Sequence, residues 1–313
     1  GAAWRLSVGF RRRAPVSGPM NPGVLAPLYA AAGLLAAVTG WTGCMPDPAR
    51  RPPDAGDGTV WTSTKVFGPE IFDGKPVSPG AFDAVVGLTY DNPDKPLCTG
   101  TLIAPTMVLT AAHCVCRAVP GRVFVGDIPT ARSGSGAGRY YAVVDHRPGL
   151  FCDRQTSKTG VDIAVLELGS PVRNVAGIPF ADEALVTSAS GFRIVGFGAV
   201  DARGRQRSDR KRHAAVPVIS ALCSQEDRAR FGCQVGREIV AGQYQGPDTC
   251  AGDSGGPLLV SATGDAGEPG DEGMSLAGVT SRSVKPAKSA CGAGGVYVRL
   301  SPEIITWINR AMS

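Results

Sequence analysis

Histidine is scarce in this chain, with three residues among 313. The nine cysteines lack the paired short spacings of a zinc ribbon. The nearest approach to a metal motif, Cys114 and Cys116 beside His113, has one intervening residue and no second ligand pair. A structural zinc site is therefore not expected. Charge of one sign is also lacking. Lys and Arg total 32 against 27 Asp and Glu, and seven of the bases but only four of the acids lie before Ile71, so the remaining body is nearly neutral. That removes the general electrostatic case for a nucleic-acid partner. No fixed-period repeat occurs. What the chain does have is 43% apolar residues, enough to fill a core in one large or two small domains. Nine cysteines are many for a reducing compartment, so an oxidising location follows. The odd count leaves one over, and Cys44 stands apart from the other eight.

The texture changes twice along the chain. Residues 1–19 are Arg- and Pro-rich without periodicity, and Met20 would serve as a start residue. From Val24 to Gly43 the sequence is apolar and uncharged, which fits either the core of a secretory signal or a marginal membrane helix; the signal is the expectation. Thr42-Gly43-Cys44 resembles the end of a bacterial lipobox, in which the cysteine is lipid-modified, although Trp41 stands where an aliphatic residue is usual. A lipid on Cys44 would be the one membrane contact expected. Residues 44–70 are rich in Pro, Gly and Asp and read as a linker or propeptide. After Ile71 come short apolar runs such as AVVGL, VLTAA, YYAVV, DIAVLEL and GVYVRL, separated by Gly, Pro and Asp. That pattern signals an all-β sandwich or barrel over residues 71–313. Only PEIITWINRAMS at the C-terminus reads as helix.

The segment Gly252 to Leu258 reads GDSGGPL. A serine hydroxyl is a weak nucleophile that needs a base for its proton and donors for the oxyanion, and flanking glycines free the backbone to turn its N–H groups inward. Upstream, Thr110 to Cys114 reads TAAHC and Asp162 to Leu168 reads DIAVLEL. Together, in this order, the three segments resemble the motifs of the chymotrypsin/trypsin-like serine proteases, and the resemblance covers Ile71 to Ser313.

The resemblance implies two antiparallel six-stranded β-barrels with a C-terminal α-helix, no cofactor, and peptide-bond hydrolysis through an acyl-enzyme on protein or peptide substrates. It implies that His113 is the general base, Asp162 its orienting acid and Ser254 the nucleophile, with the N–H groups of Gly252 and Ser254 as oxyanion hole. Asp248, six positions before Ser254, falls where trypsin-like enzymes place the acid that attracts Arg or Lys. Ser281-Arg282-Ser283 falls where the family has a Ser-Trp-Gly pocket wall, so Ser283 narrows the entrance and Arg282 disfavours basic groups further along the substrate. Gly295 keeps the opposite wall open. The run IFDGKPVSPG from Ile71 resembles the family's mature start, which implies a zymogen cut before Ile71, whose freed amine pairs with Asp253. Glu70 precedes that cut, so an acid-preferring protease is the expected activator. Cys98 with Cys114 and Cys250 with Cys291 match family disulfides. For the other four, Cys116 with Cys152 and Cys223 with Cys233 are the expected pairs, with connectivity left open by the sequence.

His146 and His213 are expected to be structural. The basic run Asp201 to His213 reads as a solvated face with an option on polyanions or self-cleavage, and Gly264 to Gly273 as an exposed acidic insertion. Two rivals to a protease stand beside it: a non-catalytic binding relative of the same fold, and an esterase-like cell-envelope factor.

Overall fold

The computed structural model describes residues 71–313, apart from 117, 132, 133, 135, 150–159, 243–245, 269, 271, 286–288 and 290. The signal-like segment, Cys44, the linker and Cys152 lie outside the described residues. The short apolar runs form strands because β-branched residues pack well on a pleated surface and the intervening Gly and Pro end each run early.

The first half supplies β1 (Lys75–Pro76), β2 (Val85–Thr89), β3 (Cys98–Ala104), β4 (Met107–Thr110), β5 (Arg122–Val125), β6 (Arg139–Pro148) and β7 (Ala164–Leu168). Strands β2-β3-β4-β7-β6-β5 close into an antiparallel barrel, so no edge is left open within it. The second half supplies β8 (Gly191–Gly196), β9 (Arg212–Ser220), β10 (Glu238–Ala241), β11 (Pro257–Ser261), β12 (Met274–Ser283) and β13 (Gly295–Arg299). These close as β9-β10-β13-β12-β11-β8, and β1 adds to the edge of β9 through Lys75↔His213 and Pro76↔Arg212. The expected pair of six-stranded barrels is thus present.

Among the described residues three α-helices accompany them: α1 (Glu183–Thr187), α2 (Gln225–Phe231) and α3 (Pro302–Met312). The C-terminal helix is the expected one. Ser301 caps it, Pro302 occupies its first turn, and it buries Ile308 and Ala311 in the apolar cluster that also holds β7. The sequence reading did not anticipate α2, whose start is a capping box between Ser224 and Asp227 and whose end is Gly232 in the left-handed region.

Among the described residues the bridges Cys98–Cys114, Cys223–Cys233 and Cys250–Cys291 brace the loops. Cys116 is also disulfide-bonded. Bridges of this kind persist in oxidising compartments. Among the described residues no helix is long and apolar enough to cross a membrane.

Candidate active site

Strand pairing brings the first two site residues together. β4 and β7 are antiparallel with Thr110 opposite Ala164, so the turn leaving β4 meets the residues entering β7. The turn is a single 3-10 turn, Ala112–Cys114, and it carries His113. The His113 backbone N–H donates to Asp162 Oδ1 at 2.9 Å, while His113 Nδ1 lies 2.8 Å from Oδ2. Two bonds to one carboxylate fix both the position and the rotation of the imidazole. Asp162 is 3% exposed and the imidazole 33%. Burial raises the Asp162 pKa, but the His113 side chain, the Ser281 hydroxyl and the His113 N–H together hold it below the ordinary carboxylate value. An ionised Asp162 keeps the proton on Nδ1, which leaves Nε2 able to accept one.

Ser254 comes from the second barrel, on the loop before β11. Its carbonyl accepts from the Thr99 N–H at 2.9 Å, and the Thr99 hydroxyl donates to the Gly252 carbonyl at 2.8 Å. Thr99 follows Cys98, which is bonded to Cys114, the neighbour of His113. The serine loop is therefore seated on the strand and turn that hold the histidine. Gly255, at φ +82°, permits this approach, since a β-carbon there would collide with the Thr110 hydroxyl and the Thr99 carbonyl. Among the described residues the N–H groups of Gly252 and Ser254 meet no acceptor. Two unengaged donors beside a serine suit an oxyanion.

Beneath the loop lie two buried acids. Asp248 is fully buried; Oδ2 accepts from the N–H groups of Gly292, Ala293 and Gly294 at 3.0, 3.1 and 3.0 Å, and Oδ1 from Thr249 at 2.8 Å. Burial nonetheless pushes its pKa up to about 6. Asp253, 1% exposed, accepts from Gly198 at 2.7 Å and Cys250 at 2.9 Å, and burial pushes it up to about 7. Ile71 is buried in the core of the second barrel, and the Phe72 carbonyl accepts from the Asp248 N–H at 3.1 Å. Ser283 faces Gly295 across the β12–β13 pair.

The family model for trypsin matches residues 71–308. The chain belongs to the trypsin family of serine proteases. It is 33% identical over 207 residues to a trypsin of Saccharopolyspora erythraea, covering 65% of this chain and 82% of that protein. It is 31% identical over 284 residues to the venom serine protease Bi-VSP of Bombus ignitus, covering 84% and 72%. It is 30% identical over 222 residues to a chymotrypsin-like elastase family member 1 of Macaca fascicularis, covering 69% and 79%. The structure of mouse neuropsin, a serine protease, superposes with a TM-score of 0.59 at 24% identity, over 77% of this chain and 99% of that one, and shares the fold.

Three features of this trypsin-family hydrolase differ from the sequence expectation. Ser281, expected as pocket wall, bonds the acid instead of standing free: a register shift between Thr280 and Arg282 leaves it without a strand partner, and its hydroxyl donates to Asp162 Oδ2 at 2.7 Å. Arg282 is not a bare cation, because Glu238 clamps it with two bonds of 2.6 and 2.7 Å and the Gly232 carbonyl accepts a third at 2.9 Å. The basic run is only half solvated. Lys211 is fully buried 3.2 Å from Asp127, and His213 is buried with Nδ1 2.7 Å from Arg193 Nη1. Arg193 donates there, so Nε2 of His213 carries the proton, and burial pushes its pKa down to about 4. His146 lies on β6, apart from this chemistry. The Cys98, His113 and Cys114 donors lie close together, but the two sulfurs are bonded to each other, so the set does not fit a metal.

Proposed function

We propose that this protein is a serine endopeptidase that cleaves after Arg or Lys through an acyl-enzyme. His113 takes the proton of Ser254 through Nε2 as the hydroxyl attacks the carbonyl carbon, and returns it to the leaving amine. Asp162 holds the imidazole in the required tautomer and stabilises its charged form. The N–H groups of Gly252 and Ser254 receive the oxyanion. The observation carrying this reading is the doubly bonded His113–Asp162 pair beside a serine loop with two unengaged N–H groups.

Asp248 supplies the charge that a basic side chain seeks, with Ser281, Ser283 and Gly295 lining its approach. Its four backbone bonds fix the carboxylate, and its raised pKa marks a charge that lacks a cation. Asp253 feels the charge of Arg207, which lowers its pKa, yet burial leaves it raised to about 7. Cutting before Ile71 would free an amine within the core already occupied by the Ile71 side chain, and this ammonium is the proposed counter-charge of Asp253. The uncut chain is then a zymogen, exported to an oxidising compartment and activated by a protease that accepts Glu70. Lipidation of Cys44 would make the same cut a release step.

The test is turnover of matched Arg, Lys, Phe and Ala peptide substrates by protein beginning at Ile71, with Ser254→Ala as control. Selective cleavage after Arg or Lys, absent in the variant, is expected. Cleavage after Phe or Ala would discard the Asp248 assignment.

A further inference from the structure

Within the basic run, Arg207 is half-buried and binds a backbone carbonyl. Arg207 Nη1 donates to the carbonyl of Ala251 at 3.0 Å, and the same oxygen accepts from the Ala199 N–H at 2.8 Å. The guanidinium lies on the α-carbon of Gly252, where a β-carbon would collide with Nη1. Gly252 has φ +105°, so glycine is required there for both reasons. Burial lowers the Arg207 pKa, and the charge of the buried Asp253 raises it.

The carbonyl of Ala251 and the N–H of Gly252 belong to one planar, trans peptide unit, in which the two bonds point in opposite directions. Whatever holds that carbonyl aims that N–H. We propose that Arg207 is a positioning residue for the oxyanion hole: by binding the Ala251 carbonyl it turns the Gly252 N–H toward the carbonyl oxygen that attack by Ser254 converts to an oxyanion. The Ala199 N–H alone is a neutral donor on a peptide with glycine freedom at its far end. Adding a charged donor and stacking the guanidinium on Gly252 removes the flipped alternative, in which the carbonyl faces the substrate and repels the oxyanion. This rests on the reading of Gly252 as an oxyanion donor.

The experiment uses protein beginning at Ile71 and compares wild type, Arg207→Ala and Arg207→Lys. It measures kcat and KM on a peptide substrate, and affinity for a peptide boronate, which forms a tetrahedral adduct with serine, against the matching product peptide, which does not. In Arg207→Ala, kcat should fall about tenfold or more with KM nearly unchanged, a fraction of the loss on deleting an oxyanion donor. Boronate affinity should fall in parallel while product affinity holds, and Arg207→Lys should recover part of both. Equal kcat and boronate affinity in wild type and Arg207→Ala would overturn the proposal. So would parallel losses of boronate and product binding with a lowered melting temperature, which would mark a merely structural arginine. A folded wild type without turnover or boronate binding would instead overturn the reading of Gly252 beneath it.

Discussion

The two barrels hold the buried acids of the candidate site in opposite electrostatic conditions. In the first, Asp162 is met by the His113 ring, the His113 N–H and a hydroxyl reaching over from β12, and its pKa is lowered. In the second, Asp248 and Asp253 are met by backbone N–H groups, and burial drives them up to about 6 and about 7. Backbone dipoles orient a carboxylate without cancelling its charge. Asp162 is therefore already balanced, by the histidine of its own barrel and by the Ser281 hydroxyl of the other, whereas the two acids of the second barrel could each take a cation. On the proposed reading, one is the basic side chain of the substrate and the other the amine of Ile71.

Changes to the proposed catalytic groups, Asp162 of the first barrel and Ser254 of the second, should cost most. Ser254→Ala, which leaves the base with nothing to activate, should lower kcat by about a millionfold with the melting temperature unchanged. Asp162→Asn should cost about ten-thousandfold, because an amide donating to His113 selects the wrong tautomer. Steady-state kinetics on one peptide series would check both; a loss below tenfold in either would remove the proposed roles. In the cation-receiving half, Asp248→Asn should lower kcat/KM for Arg and Lys substrates by about a hundredfold while leaving Ala substrates little changed, the cost expected when a buried charge pair loses one partner. An equal loss on all substrates would make Asp248 structural.

Stability should separate the halves in a second way. A carboxyl whose folded pKa is raised destabilises the fold once ionised. Through Asp253 the uncut chain should therefore lose stability as pH rises from about 4 through about 7, by up to about 1.4 kcal/mol per unit over that window. Freeing the Ile71 amine, or making Asp253→Asn, should flatten the profile. Denaturant midpoints of cut and uncut protein across that range would check it, and identical slopes would contradict the pairing. The smallest effect is expected from Cys223→Ala with Cys233→Ala. Removing the bridge over their short loop should cost about 2 to 3 kcal/mol without altering substrate preference.

What the sequence made legible was what is written locally. TAAHC, DIAVLEL and GDSGGPL each place one reactive group in one turn, and the capped C-terminal helix carries its own start signal. The box Ser224 to Asp227 was equally local and marks α2, but its helix buries no side chain and so shows no apolar stripe. Other features depend on partners far apart in the chain. Glu238 meets Arg282 across 44 residues, Ser281 meets Asp162 across 119, and Arg207 meets Ala251 across 44. Nothing in DARGRQRSDRKRH distinguishes the arginine that binds a carbonyl, or the lysine buried against Asp127, from those in water. A charge run reads as solvated until the fold supplies the partner.

The central claim is that Ser254 forms a covalent acyl intermediate with the help of His113. The most direct measurement is a stopped-flow burst with an arginine p-nitrophenyl ester on protein beginning at Ile71, calibrated by protein concentration. One equivalent of nitrophenol released ahead of the steady state, absent in Ser254→Ala, is the expected result. A folded protein with a free Ile71 amine that hydrolyses the ester without a burst, or as fast in the Ser254→Ala variant, would contradict it.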